Sequence, residues 1–254
     1  MEIRRFASSD DAASAAAARV VEVVRDKPHA VIGLPAGRTM VPVYAEMVRL
    51  ARSAPSQWAQ VRTFQVDEFI GLGRGDAGSF RSFLERHLLD ALKLAADHVA
   101  FLNGEASDAQ AECERYERAI AEAGGLDLQL LGIGANGHIG FNEPGDSLTA
   151  RTHLATLHDE TRRANAMWFE NDVSRVPHRA LSMGMATLLG ARAVVLVATG
   201  DSKADAVARA VTGTVTTKLP ASFLQLHRAA EFYVDAAAAK GLMPGPGGPG
   251  LREG

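Results

Sequence analysis

The sequence predicts an α/β fold: a doubly wound, mostly parallel sheet with helices on both faces. Three observations predict it. Short runs of strand character at 29–34, 61–66, 126–131 and 193–198 alternate with longer segments of helical character. Glycine-rich or acidic turns follow these runs, as they do where parallel strands hand over to helices. The chain has 254 residues, 47% of them hydrophobic, enough for one large domain with a substantial core. Right-handed crossovers between such units then cover both faces of one sheet.

Residues 9–25 read as a helix. Ser9 or Asp10 can cap it, its alanines favour it, and Asp26-Lys27-Pro28 ends it. Residues 29–34 read as a short buried strand, followed by Pro35-Ala36-Gly37-Arg38-Thr39 and a helix from about Val41 to Ala51. Free amides at a helix start, the helix dipole and the Arg38 charge together suit an anion. The lysine and Ser/Thr of a Walker A loop are missing, as is GxGxxG, and a plain βα turn is the alternative. Residues 61–66 read as the next strand, with Asp67-Glu68 at its end, where open α/β sheets bind ligands. Apolar neighbours on both sides argue against a merely solvated capping pair. Ser79 to Leu94 reads as a helix with Phe80, Phe83, Leu84 and Leu88 facing the core. Phe101 to Gly104 reads as a short strand and turn, and Asp108 to Ala123 as a helix stopped by Gly124-Gly125.

The run 126–131 leads into the stretch around which the chain is organised. Gly132, Gly134 and Gly137 free the backbone to turn tightly. Asn136, His138, Asn142 and Glu143 crowd that loop. Helical or strand periodicity does not put His138 and Glu143 on one face, but a tight loop can bring both to one point. A glycine turn with a structural histidine is the plainer alternative; the four polar residues together favour a site. With no HxxxH and no cysteine nearby, a zinc site is not expected. Residues 146–178 are polar, lack a clean period and hold Arg151, His153, His158, Arg162 and Arg163, which reads as an active-site lid. Residues 180–189 look helical, 193–198 form a clear apolar strand, and Gly200-Asp201-Ser202-Lys203 opens another helix. Lys203 there opposes the helix dipole; a bound anion offsets that cost, and a solvent-pointing lysine is the alternative. Residues 220–226 read as a short helix and 231–234 as the last strand. Residues 1–240 are thus one domain, and 241–254 a Gly/Pro-rich tail expected to be disordered.

Composition narrows the partners. A net charge of −3 gives no basic field for nucleic acid and no polybasic membrane patch. Cys113 is the only cysteine, so no intrachain disulfide forms. No signal peptide is evident, and no run approaches the about 20 apolar residues of a membrane span. A reducing cytoplasm is the expected location.

Several stretches resemble the glucosamine-6-phosphate deaminase family. They are Gly33-Leu34-Pro35-Ala36-Gly37-Arg38-Thr39, Val66-Asp67-Glu68-Phe69, the run from Asn136 to Pro144, His158-Asp159-Glu160-Thr161-Arg162 and Leu224-Gln225-Leu226-His227. The resemblance spans about residues 30–235. The related 6-phosphogluconolactonases carry a GHTASLFP-type run where this chain has Gly137-His138-Ile139-Gly140-Phe141-Asn142-Glu143-Pro144. The resemblance implies a Rossmann-like sheet and conversion of glucosamine 6-phosphate and water to fructose 6-phosphate and ammonia, a step in N-acetylglucosamine breakdown. It makes Asp67 the general base between C2 and C1, His138 the ring-opening residue and Glu143 its supporting carboxylate. Gly37, Arg38, Thr39 and Lys203 fall at the phosphate site. No metal or organic cofactor is implied. Because the family includes monomers and hexamers, a homo-oligomer is among the expected assemblies.

The chemistry asks for such groups independently. Ring opening needs a proton moved between O1 and O5, and histidine titrates in the right range. Moving a proton between adjacent carbons needs one base near both, and a carboxylate in a dry pocket gains basicity. The chain departs from the family at Asn136, where some members have aspartate. Asparagine can orient His138 but brings no charge. Met167 stands where members usually carry a phosphate-binding arginine, and Arg38 where the loop usually has a small residue, so Arg38 is expected to supply the missing charge. His153 and Ala155 replace basic residues that bind an allosteric sugar phosphate, so little activation by N-acetylglucosamine 6-phosphate is expected. The alternatives are a lactonase-like esterase, a deaminase of another amino-sugar phosphate and a non-catalytic sugar-phosphate sensor.

Overall fold

The computed structural model describes residues 1–242 and 251–254. In chain order the strands and helices are β1 (Glu2–Phe6), α1 (Ser9–Asp26), β2 (Val31–Leu34), α2 (Met40–Ala51), β3 (Arg62–Gln65), β4 (Asp67–Phe69), α3 (Phe80–Leu84), α4 (Asp90–Leu92) and β5 (Val99–Ala100). There follow α5 (Ala109–Glu122), β6 (Leu128–Leu131), β7 (His153–Thr156), α6 (Asp159–Asn165), β8 (Arg179–Ser182), α7 (Met185–Leu189), β9 (Ala193–Ala198), α8 (Ala204–Thr212), β10 (Ala230–Asp235) and β11 (Leu251–Glu253). Eight strands form one sheet in the order β11-β1-β10-β9-β6-β2-β3-β5. Every pairing in it is parallel.

The sheet is doubly wound, and the alternation of its side chains shows why. Ile32, Leu34, Leu128, Leu130, Val195 and Val197 point to one core, under α1 and α2. Val31, Leu131, Val194, Leu196 and Ala198 point to the other, under α5, α7 and α8. Strands buried on both faces must be apolar almost throughout, which is what made 193–198 legible as a strand. Small side chains let α1 lie close: Ala12, Ala13, Ala16 and Ala17 are all buried. The cap of α1 is Ser8, one residue before the expected position; its hydroxyl accepts the Asp11 amide at 3.1 Å.

From β2 the chain winds outward through β3 to β5, then returns to β6 on the other side of β2. The winding direction reverses between β2 and β6, so the loops leaving these two strands part and leave a crevice at their C-terminal ends.

A second, antiparallel sheet, β4-β8-β7, stands beside this crevice. It corrects one expectation and fills in another. Residues 180–182 are strand, not helix: they pair between β4 and β7, and the helix begins only after Gly184. Tertiary pairing overrides local propensity here. The segment 146–178, expected as a lid, is partly regular. It contains β7 and α6, and Arg162 pins its far end by donating to the carbonyls of Val173 and Val176. A cluster of Phe69, Phe80, Phe141 and Phe169 fills the space beneath this sheet, with Phe69–Phe80 ring centroids 4.8 Å apart.

Three further differences concern element ends. The helix expected over 79–94 is α3, a π-helical turn Glu85–Leu89 and α4, ended by Lys93 in the left-handed region. The short strand expected at Phe101 falls at β5 instead. In the expected disordered tail, Leu251–Glu253 pairs parallel with β1. Residues 243–250, the Gly/Pro run of that tail, lie outside the described residues.

Candidate active site

A cavity of about 230 Å³ opens at the crevice between β2 and β6. Gly37, Arg38, Thr39, Asp67, Asn136, His138 and Lys203 all line it. Seven of the eight residues expected at the site therefore meet in one place. The eighth, Glu143, lies behind His138 and touches the cavity only through it.

The loop after β2 brings Gly37, Arg38 and Thr39. Tyr44 of α2, fully buried, donates its hydroxyl to the Pro35 carbonyl at 2.5 Å and fixes the start of the turn. Gly37 has φ +129°, and a Cβ there would meet no atom within 4 Å, so its backbone rather than any crowding requires glycine. Lys203 arrives from the loop after β9, anchored where the buried Asp235 carboxylate accepts the Gly200 amide at 3.0 Å. Burial is the main cause that lowers the Lys203 pKa from its ordinary value; the nearby Arg38 charge lowers it further, and Glu160 acts against both. Two cations thus face the same end of the cavity, a costly arrangement that an anion would relieve.

The paired acids after β3 have opposite fates. Glu68 accepts from the Phe69, Phe80 and Arg81 amides, from Gln65 and from Ser79, at 2.8–3.1 Å. It ties β4 to the start of α3. Asp67 lines the cavity, is 5% exposed, and its Oδ1 has no hydrogen-bond partner among the described residues. Burial, with a smaller push from the Glu68 charge, raises the Asp67 pKa well above the carboxylate range. An unpartnered buried carboxylate facing a cavity is disposed to take up a proton.

The loop after β6 brings the imidazole. Gly134 passes so close to His138 that a Cβ would lie 2.3 Å from the ring, so glycine is required there by contact. Asn136 Oδ1 accepts the His138 amide at 3.1 Å, and Asn136 Nδ2 donates to Glu143 Oε2 at 3.0 Å. Glu143 Oε2 lies 3.6 Å from His138 Nδ1, and Thr161 Oγ1 lies 3.3 Å from the same nitrogen. Burial alone would raise the Glu143 pKa. The nearby His138 ring and its charge, with Thr161 and the His158 amide, outweigh it and bring the pKa down to about 2. Glu143 is therefore ionised at neutral pH and can orient His138. Asn142 plays a structural part: its Nδ2 donates to the carbonyls of Ile139 and Met183, both at 2.9 Å, which joins the loop to the end of β8.

The far wall of the cavity falls in the segment expected as a lid, but apart from Met167 its residues were given no role from sequence. Glu160, Thr161, Ala164 and Asn165 of α6, with Met167 and Trp168 just beyond, line it. Thr161, Ala164, Asn165 and Trp168 follow the i, i+3, i+4, i+7 spacing of one helical face, a signal hidden because the face is half polar. Met167 is 40% exposed and brings no charge to the wall, while Arg38 brings one from the opposite loop. Among the described residues, no group of three or more His, Cys, Asp or Glu side chains is arranged to hold a metal ion. No helix of the described residues is long and apolar enough to cross a membrane.

The family profile described as glucosamine-6-phosphate isomerases/6-phosphogluconolactonase matches residues 5–233. A glucosamine-6-phosphate deaminase of Giardia intestinalis is 47% identical over 230 residues, 91% of this chain and 86% of that protein. One of Streptomyces coelicolor is 47% identical over 223 residues, 88% of this chain and 85% of its own length. A solved structure of a monomeric glucosamine-6-phosphate deaminase superposes with a TM-score of 0.92 at 36% identity, covering 95% of this chain and all of that one. The 6-phosphogluconolactonase of Trypanosoma brucei, at a TM-score of 0.73 and 19% identity, shares the fold. The chain belongs to the glucosamine-6-phosphate isomerase/6-phosphogluconolactonase family, on its glucosamine-6-phosphate deaminase side.

Proposed function

We propose that this protein converts glucosamine 6-phosphate and water to fructose 6-phosphate and ammonia. The observation that carries the reading is the content of one small cavity. A buried carboxylate without a partner, an imidazole backed by an ionised carboxylate, and two cations all face it. The identity to deaminases over most of the chain supports the same reading.

Each part has a step to perform. Arg38, Lys203 and the amides at the start of α2 hold the phosphate. His138 accepts the proton of the O1 hydroxyl and returns one to O5, which opens the ring to the aldehyde. Asp67 then removes the proton on C2 and delivers one to C1. The nitrogen on C2 becomes an imine, water adds to that carbon, and ammonia leaves as the ketone forms. One carboxylate serves both carbons because they are adjacent. Its raised pKa makes it a stronger base than a solvated aspartate.

Ammonia release from glucosamine 6-phosphate, galactosamine 6-phosphate and unphosphorylated glucosamine, beside hydrolysis of 6-phosphogluconolactone, tests the reading. The expected result is ammonia from glucosamine 6-phosphate and none from the unphosphorylated sugar. Lactone hydrolysis without ammonia release from any amino sugar would overturn it.

A further inference from the structure

Two imidazoles approach the Glu143 carboxylate, and only one of them lines the cavity. His138 reaches Oε2 from the cavity side at 3.6 Å. His158 reaches the same oxygen at 3.7 Å, with its side chain 50% exposed. His158 also donates its backbone amide to Glu143 Oε1 at 3.1 Å. The ring distances are those of ion pairs rather than hydrogen bonds. With the Glu143 side chain only 7% exposed, these charges are less screened than surface pairs. Asn136 and Thr161, both neutral, complete the shell.

We infer that His158 is a positioning residue that holds Glu143 from the solvent side and divides that carboxylate's charge with His138. The inference rests on the roles given above to His138 and Glu143. Two groups that share one counter-charge titrate as a coupled set. A proton on His158 claims part of the Glu143 charge and makes a proton on His138 harder to hold. The other charged groups of these elements make no bond to either ring. Asp159 pairs with Arg162 at 3.5 Å, and Asp146 with Lys218 at 2.5 Å. Glu160, Lys203, Arg38 and Asp67 line the cavity, and His178 offers its backbone carbonyl to the Leu157 amide. Among the described residues, none of these is hydrogen-bonded or ion-paired to either imidazole.

The test follows the His138 ring by proton NMR against pH in the full-length protein, its signal assigned by loss in His138→Gln. Wild type is compared with His158→Gln, which removes the competing charge, and His158→Lys, which makes it permanent. In His158→Gln the His138 midpoint should rise by about half a pH unit, the size expected of partly screened charges. In His158→Lys it should not rise. kcat for ammonia release should fall several-fold in His158→Gln with KM unchanged, because His158 does not line the cavity. The same midpoint in all three proteins, or an equal shift in both variants, overturns the inference. The titration needs no turnover, so wild type that releases no ammonia would defeat the proposed reaction and leave this test standing.

Discussion

Asp67 and Glu68 are neighbours of the same chemical type, and their surroundings divide their work. Glu68 is saturated by five donors and holds α3 in place, while Asp67 faces the cavity with an oxygen unpartnered. Their place at the strand end does not separate them, and only the family resemblance singled out Asp67, because the donors to Glu68 come from residues up to thirteen positions away. A base held this way carries a stability cost. The Asp67 pKa is raised in the folded protein, so the folded state binds more protons than the unfolded one above about pH 3.9. The site is therefore most favourable to folding at low pH, and that contribution is lost as pH rises through the folded-state value. Asp67→Asn removes the titration. We expect it to lower kcat by about 10²–10⁴-fold while raising Tm at neutral pH, with the Tm gain shrinking as pH approaches 4. Differential scanning calorimetry at several pH values checks this; a Tm loss at neutral pH would contradict it. At the other end of the cavity, Arg38→Gly and Lys203→Ala should each raise KM by about tenfold or more, the worth of a charged hydrogen bond, and change kcat less. Steady-state kinetics decides, and an unchanged KM for Arg38→Gly would remove it from the phosphate site.

At the scale of elements, the loops that carry chemistry were legible, and their supports were not. Glycines after apolar runs announced the turns at Gly37 and Gly134. The antiparallel β4-β8-β7 sheet was hidden because Asp67–Phe69 and Arg179–Ser182 are short, and their pairing is set by distant partners. β1 escaped notice for another reason. Glu2-Ile3-Arg4-Arg5-Phe6 buries only Ile3 and Phe6, and its charged positions are taken up by ion pairs such as Arg4–Glu2 at 2.9 Å. The phenylalanine cluster ties the catalytic elements together, since Phe69 follows Asp67 on β4 and Phe141 follows His138 in its loop. Their ring centroids are 5.3 Å apart. Phe69→Ala should therefore cost about 3–5 kcal/mol of stability. It should also lower kcat more than a variant of equal stability loss on the far side of the sheet, such as Phe232→Ala. Chemical denaturation paired with kinetics measures both; equal kcat losses would mean that the cluster supports the fold alone.

At the scale of the whole molecule, the order of strands decides where chemistry can occur. Alternating strands and helices predicted a doubly wound sheet, and such a sheet has a crevice where its winding reverses. That reversal lies between β2 and β6, so loops about a hundred residues apart in sequence share one cavity. Sequence reading reached the convergence through strand ends. It placed a lid over residues 146–178 but did not find α6 or its lining residues, because a half-polar helical face inside a polar segment has no apolar period to betray it. A crystal structure of the protein with an acyclic, amino-bearing sugar 6-phosphate analogue would show whether these loops hold one substrate. The phosphate is expected between Arg38 and Lys203, the carbons equivalent to C1 and C2 within reach of the Asp67 carboxylate, and the O5 hydroxyl beside His138. A phosphate bound away from both cations, or an analogue that leaves Asp67 and His138 on opposite sides of an empty cavity, would contradict that placement.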